Sequence, residues 1–247
     1  MEIAIQVFGI LGAICTIGLG LPQLIHQLKV KKTGDVNFVS FWVFYLGLLV
    51  WIIFGTFQSG DITAKPYIFV ANFVCIMFYS ATVYFVYYYH PKVQTKTKKL
   101  ILIPILLVIF SSLILFVVFV LRATNVILKA DFGETGTKIF GFIAPSFTTL
   151  AFLPQIIQNF KNNDFSGVTP YMPLLYLFNN ANWILNFSLL IASSHDSASI
   201  GGLTWQIISS IIFGIQFFAT IIWLNKQKKQ QKIVENELNQ ANKQLQE

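Results

Sequence analysis

Two tryptophans, Trp51 and Trp183, stand in the middle of long apolar runs rather than at their ends, where tryptophan ordinarily anchors a membrane helix. A buried indole still carries an N–H that needs an acceptor, and it presents a flat apolar face. A neighbouring helix can supply the acceptor, and a neutral polyol can match both properties by stacking an apolar face on the ring while its hydroxyls seek amides. Amides are close by: Asn179, Asn182, Trp183 and Asn186 fall at i, i+3, i+4 and i+7, on one face of a helix. The corresponding face of an earlier run, Gly47, Val50, Trp51 and Phe54, has none, so a cavity between the two runs is expected to be asymmetric. Uncharged amides in membrane helices also bind neighbouring helices, at about 0.6–2 kcal/mol each, so pore lining and helix packing are both open for this stripe.

Other chemistry is sparse. His26, His90 and His195 are scattered, no His/Cys/Asp/Glu group has metal-ligand spacing, and no metal is expected. Neither a nucleophile with its base nor a phosphate-cradling glycine loop is present, so the sequence reads as non-enzymatic and without a cofactor. Cys15 and Cys75 lie inside apolar runs without partners and read as reduced packing residues. All ten acidic residues, Asp35 and Asp164 among them, fall in predicted loops, termini or the tail, so the groups that could bind a solute cannot titrate near neutral pH.

The elements that must position these residues follow from composition. Only 11% of the 247 residues are charged and 55% are apolar, with mean hydropathy +0.66, whereas soluble domains carry about 25% charge. A bilayer crossing needs about 20 apolar helical residues. Seven such stretches run from about 3 to 28, 37 to 57, 66 to 89, 100 to 121, 139 to 160, 170 to 192 and 202 to 224. The alternating ten-residue segments of a membrane barrel are missing. The first stretch lacks a basic leader and a small-residue cleavage site and reads as a retained span.

The loops at 29–36, 90–99 and 161–169, with the tail from 225, hold 13 of the 17 lysines and arginines. That bias predicts a cytoplasmic C-terminus with the N-terminus outside. It also explains the net charge of +7 without nucleic acid, because the lysines sit at span ends. Sixteen lysines against one arginine, Arg122, with much Ile, Phe and Asn, point to an AT-rich genome and a bacterial plasma membrane. The polar tail places Val234, Leu238, Ala241 and Leu245 at heptad spacing; self-association, a surface helix and a frayed end are its alternatives.

Residues 8–60 laid over 140–192 at an offset of 132 align Phe8-Gly9 with Phe140-Gly141, Thr16 with Thr148, Leu21-Pro22-Gln23 with Leu153-Pro154-Gln155, and Trp51 with Trp183. A duplicated unit with an odd span between its copies makes both enter the membrane in the same direction. Pro22 and Pro154 cannot donate to the preceding turn and predict paired hinges, while Gln23 and Gln155 can satisfy backbone groups nearby. The expected organisation is an all-α membrane protein of seven helices as 3+1+3: a first repeat at 1–90, a linker helix with its loops at 91–138, a second repeat at 139–224 and a polar tail at 225–247.

These motifs, with the runs Lys31-Lys32-Thr33-Gly34-Asp35-Val36-Asn37 and Ala71-Asn72, make residues 5–224 resemble the PQ-loop superfamily, specifically SWEET and SemiSWEET sugar transporters. The resemblance implies that Trp51 and Asn72 line the substrate pocket, with Trp183 by the repeat. It implies Gln206 at the fourth position, with Ser209 and Ser210 as alternatives. The second helix carries Phe41 where such proteins often have a proline, while the sixth keeps Pro173. The expected function is facilitative transport of a small neutral solute, a sugar in first place, by a protein whose partners are that solute and the bilayer. A proton-coupled amino-acid exporter and a seven-helix cargo receptor or scaffold are the alternatives.

Overall fold

The computed structural model describes residues 1–33, 36–126, 130–165 and 170–244, with side chains to Asn236. Asp35 therefore lies outside the described residues, as do the side chains of Leu238, Ala241 and Leu245 that would test the tail heptads. The described residues form α-helices without strands, and seven helical segments are long and apolar enough to cross a bilayer.

The first and fifth spans are each made of two pieces. Helix α1 (Glu2–Gly18) gives way to α2 (Leu21–Val30), and α7 (Gly133–Leu150) to α8 (Leu153–Asn162). Pro22 and Pro154 stand at the second position of α2 and α8. The ladder stops where proline has no N–H to give and restarts with proline where a missing donor costs nothing. The sequence predicts bends at these points; the structure interrupts each helix for two residues, Leu19-Gly20 and Ala151-Phe152, with the backbone still in the right-handed region. The far ends repeat as well. Lys31 and Asn163, 132 residues apart, take left-handed φ angles of 51° and 49° and close their helices.

Asn37 starts α3 (Phe38–Phe57), its carboxamide oxygen accepting from the N–H of Val39 at 3.0 Å and of Ser40 at 3.3 Å. A short turn at Ile62–Ala64 leads to α4 (Pro66–Tyr88), then α5 (Thr95–Leu100) and α6 (Leu102–Ala123). The chain closes with α9 (Tyr171–Ser194) and α10 (Ala198–Gln244). The last helix continues unbroken past 224 through Gln244, so the polar tail from 225 begins as helix.

Helix α1 packs between α4 and α9, while α7 packs between α10 and α3. The first helix of each run of three therefore meets the third of its own run and the second of the other. Two glycines allow the cross-contacts. A Cβ on Gly12 would fall 2.9 Å from the Trp183 ring, and one on Gly47 would fall 3.0 Å from Phe147 Cβ and from Thr148 Cγ2. Helix α6 lies against α3 and α4, stacking Phe119 on Phe69 with centroids 4.0 Å apart. At its end buried Arg122 donates to the carbonyls of Thr56 and Gln58, which the C-terminus of α3 would otherwise leave without partners. The opposite face of α6 exposes Ile103, Leu106, Leu107 and Phe110. So wide an apolar surface fits a lipid surround, and the chain is a multi-pass membrane protein.

Candidate functional site

Six helices converge on one central cavity: α1, α3 and α4 from the first run, α7, α9 and α10 from the second. Its polar lining consists of Thr16, Asn72, Thr148, Thr149, Asn179, Asn180, Gln206 and Ser209, with the indoles of Trp51 and Trp183. None of the lining residues is charged or a histidine.

The two tryptophans are held by a reciprocal pair of bonds. Trp183 Nε1 donates to Thr16 Oγ1 at 3.0 Å, and Trp51 Nε1 donates to Thr148 Oγ1 at 3.3 Å. Each indole thus reaches into the other copy of the duplicated unit, since Thr16 matches Thr148 as Trp51 matches Trp183. The threonines then differ. Thr16 Oγ1 donates a hydrogen bond to Asn179 Oδ1 at 2.8 Å, whereas Thr148 donates to the Pro145 carbonyl of its own helix at 3.2 Å. The position matching Asn179 is Gly47, which has no side chain to offer.

A second polar group lies between α9 and α10. With the Asn180 carboxamide turned so that Nδ2 faces Gln206 Oε1 at 2.7 Å, its Oδ1 accepts from Ser209 Oγ at 2.8 Å and both ends are satisfied. Ser210 turns away from the cavity and donates to the Gln206 carbonyl in its own helix. Asn72 lines the opposite wall, with Nδ2 donating to the Ile68 carbonyl at 2.8 Å.

Of the residues singled out from the sequence, Trp51, Asn72, Asn179, Trp183 and Gln206 therefore share one cavity. Asn182 and Asn186 do not line it. Asn182 Nδ2 donates to the Phe178 carbonyl one turn back on its own helix. Asn186 is buried and bridges helices, donating to the Ile5 carbonyl at 2.7 Å and to Tyr67 Oη at 3.2 Å. The amide stripe thus divides between lining and packing: α9 meets the cavity with part of a turn and α1 and α4 with the rest. Thr16, Thr148 and Asn180 were not singled out. The repeat had paired the two threonines, and Asn180 adjoins Asn179, but neither signal says which way a side chain faces.

The cavity has only about 40 Å³ of open volume, room for a water or two, whereas sites for small molecules run to about 300 Å³ or more. Wider spaces lie beyond it on both sides. Towards the starts of α4, α7 and α10 a cavity of about 290 Å³ shares Trp51 and Ile68 with the centre. The Lys65–Asp196 ion pair sits there, joining the loops before α4 and α10. Partial burial pushes the Asp196 carboxyl up, but the hydrogen bond and charge of Lys65, with the Ser199 hydroxyl and the Ala198 N–H, outweigh it and hold the pKa below the usual range.

At the lysine-rich end a cavity of about 660 Å³ is bordered by Gln23, His26, Lys32, His90, Gln155 and Asp164. Stacked rings separate it from the centre: Tyr176 and Phe213 lie 4.0 Å apart, Phe44 lies 4.8 Å from Tyr79 and 5.3 Å from Phe152, and Phe41 packs beside them. Gln155 works next to this plug, its Oε1 accepting from the Asn37 N–H at 2.8 Å and its Nε2 donating to Asn159 at 3.0 Å. It thereby ties the start of α3 to the second break. Gln23, beside the first break, borders the same space.

The PQ loop repeat family model matches residues 4–64 and 137–195, two segments whose starts and ends lie 133 and 131 residues apart, in step with the internal repeat. Among curated proteins, the sugar transporter SemiSWEET of Bradyrhizobium diazoefficiens is 39% identical over 57 residues, which is 23% of this chain. The match spans 65% of that relative's own length. Among solved structures, a eukaryotic SWEET transporter at 3.7 Å superposes with a TM-score of 0.61 over 91% of this chain and 98% of its own, at 16% identity, a likeness of fold. The chain thus carries two segments that match the PQ loop repeat, on a SWEET-like fold.

Proposed function

We propose that this protein is a facilitative transporter of a small neutral solute, a sugar in first place, which passes through the central cavity by alternating access. One observation carries the reading: an uncharged cavity lined by indoles, amides and hydroxyls where the two repeats meet, with wider spaces at both ends. Indole faces take the apolar face of a sugar ring and the amides take its hydroxyls. The two named relatives are a sugar transporter and a SWEET transporter, which supports transport over catalysis.

In this reading residues 1–90 and 139–224 are the repeats, 91–138 the linker, and the breaks at Pro22-Gln23 and Pro154-Gln155 are hinges that let the lysine-rich end open. That end faces the cytoplasm of a bacterial plasma membrane, the tail from 225 included. Asn72, Asn179 and Gln206 hold the solute with Trp51 and Trp183.

Uptake and counterflow in proteoliposomes, screened with sugars and amino acids, test the proposal. Sugar counterflow that follows only the solute gradient is the expected result. Accumulation driven by a pH gradient and abolished by Asp164→Asn would instead identify a proton-coupled amino-acid exporter.

A further inference from the structure

The two cavity tryptophans occupy matching positions of the duplication and are both buried, yet their ring neighbours, hydrogen bonds and adjoining spaces differ. Trp183 is walled in: Gly12 leaves no spare space against its ring, Phe187 stacks on it at 5.4 Å and Tyr67 lies 6.0 Å away. Its N–H is held at 3.0 Å by a threonine that is itself fixed by Asn179. Trp51 has one ring neighbour, Phe54, edge-on at 5.7 Å. Its N–H bond is longer, 3.3 Å, and ends on a threonine whose own proton goes to a backbone carbonyl. Trp51 also borders both the small central cavity and the 290 Å³ cavity beyond it, whereas Trp183 borders only the centre.

We propose that Trp51 is the moving lid between the Lys65–Asp196 end and the central site, latched by Thr148, and that Trp183 is the fixed platform, positioned by Thr16 and Asn179. This inference rests on the transport reading for its meaning but not for its test. When the latch breaks, the indole swings towards the wider cavity and the central volume grows to admit a solute. The lysine-rich side offers no comparable single gate, because several packed rings from α3, α4, α9 and α10, not one side chain, stand between the centre and the wide cavity there. The duplication thus supplied two equivalent tryptophans, and the exchange of Gly47 for Asn179 at one position divided their roles.

The test needs no knowledge of the solute. In a background with Cys15 and Cys75 replaced by alanine, Thr149→Cys places one thiol in the central cavity, and its labelling by a small water-soluble thiol reagent in nanodiscs reads how often the lid opens. Thr148→Val, which keeps the shape and removes the acceptor, should speed labelling about fivefold, the effect of one ordinary hydrogen bond. Thr148→Ser, which keeps the hydroxyl, should restore the parent rate. Thr16→Val should change labelling less than about twofold, because its indole stays confined by packing. Equal acceleration by Thr16→Val and Thr148→Val, no acceleration by either, or a thiol that never reacts would overturn the lid. If the expected labelling pattern appears but no sugar is transported, the lid stands and the sugar reading falls.

Discussion

The two halves of the central cavity are built from the same parts and are not equivalent. In one half Thr16 sits between the Trp183 indole and the Asn179 amide, a continuous side-chain network across two repeats. In the other half Thr148 meets the Trp51 indole, but where an amide would stand there is Gly47, and α3 closes directly onto α7. Duplication placed the threonines and tryptophans; later divergence decided which side has polar groups and which has close packing. A solute held here meets a polar wall on α9 and α10 and a more apolar one on α3.

Variants that remove one side's advantage should break the comparison most. Asn179→Leu leaves Thr16 without its acceptor and takes an amide from the polar wall, so sugar affinity should fall about tenfold or more, read by binding calorimetry or KM in counterflow. Asn72→Ala on the opposite wall should weaken transport in the same range. If Asn72→Ala leaves affinity and rate untouched, that wall is packing and the solute contacts one half alone.

Gly47→Ala tests the other side. The added methyl would sit 3.0 Å from Phe147 and Thr148, and the α3–α7 contact should lose about 1–3 kcal/mol, seen as a lower Tm. An unchanged Tm would mean that α7 shifts freely and that the two halves are less different than they look.

The breaks allow a finer comparison. Pro22→Ala and Pro154→Ala restore a backbone donor and should let α1 run into α2, or α7 into α8, slowing turnover several-fold while leaving affinity nearly unchanged. Gln155 ties the second break to α3, so Pro154→Ala should be the milder of the two. Normal turnover in both variants would make the breaks static.

The smallest effect belongs to the Lys65–Asp196 pair. A lowered carboxylate pKa contributes stability above the unfolded value of about 3.9 and loses it as pH falls through the folded one, so this pair should be constant between about pH 5 and 8. Asp196→Asn should cost about 1 kcal/mol of stability or less at neutral pH, read as a slightly lower Tm, and the difference from the parent should vanish in acid. A pair whose removal changes stability more at pH 8 than at pH 6 would require another titrating group.

Hydropathy, charge bias and the 132-residue offset made the seven spans, the duplication and the central tryptophans legible, because apolar length, proline and tryptophan carry their meaning locally or by spacing. The offset even paired Thr16 with Thr148. It did not show that each threonine binds the other copy's indole, since that depends on α1 meeting α9 and α3 meeting α7, contacts between residues more than 90 positions apart. Helical periodicity put Asn179, Asn182 and Asn186 on one face, but α1 and α4 both reach that face. Only their crossing decides that Asn179 lines the cavity, that Asn186 binds α1 and α4, and that Asn182 bonds its own backbone. The sequence by itself determined that this chain lives in a bilayer, that its middle is polar without charge, and that two prolines disturb its first and fifth spans. The tertiary structure decided which polar groups face the cavity and how little room they leave, because in a close-packed bundle a side chain's direction and the remaining volume belong to several helices at once.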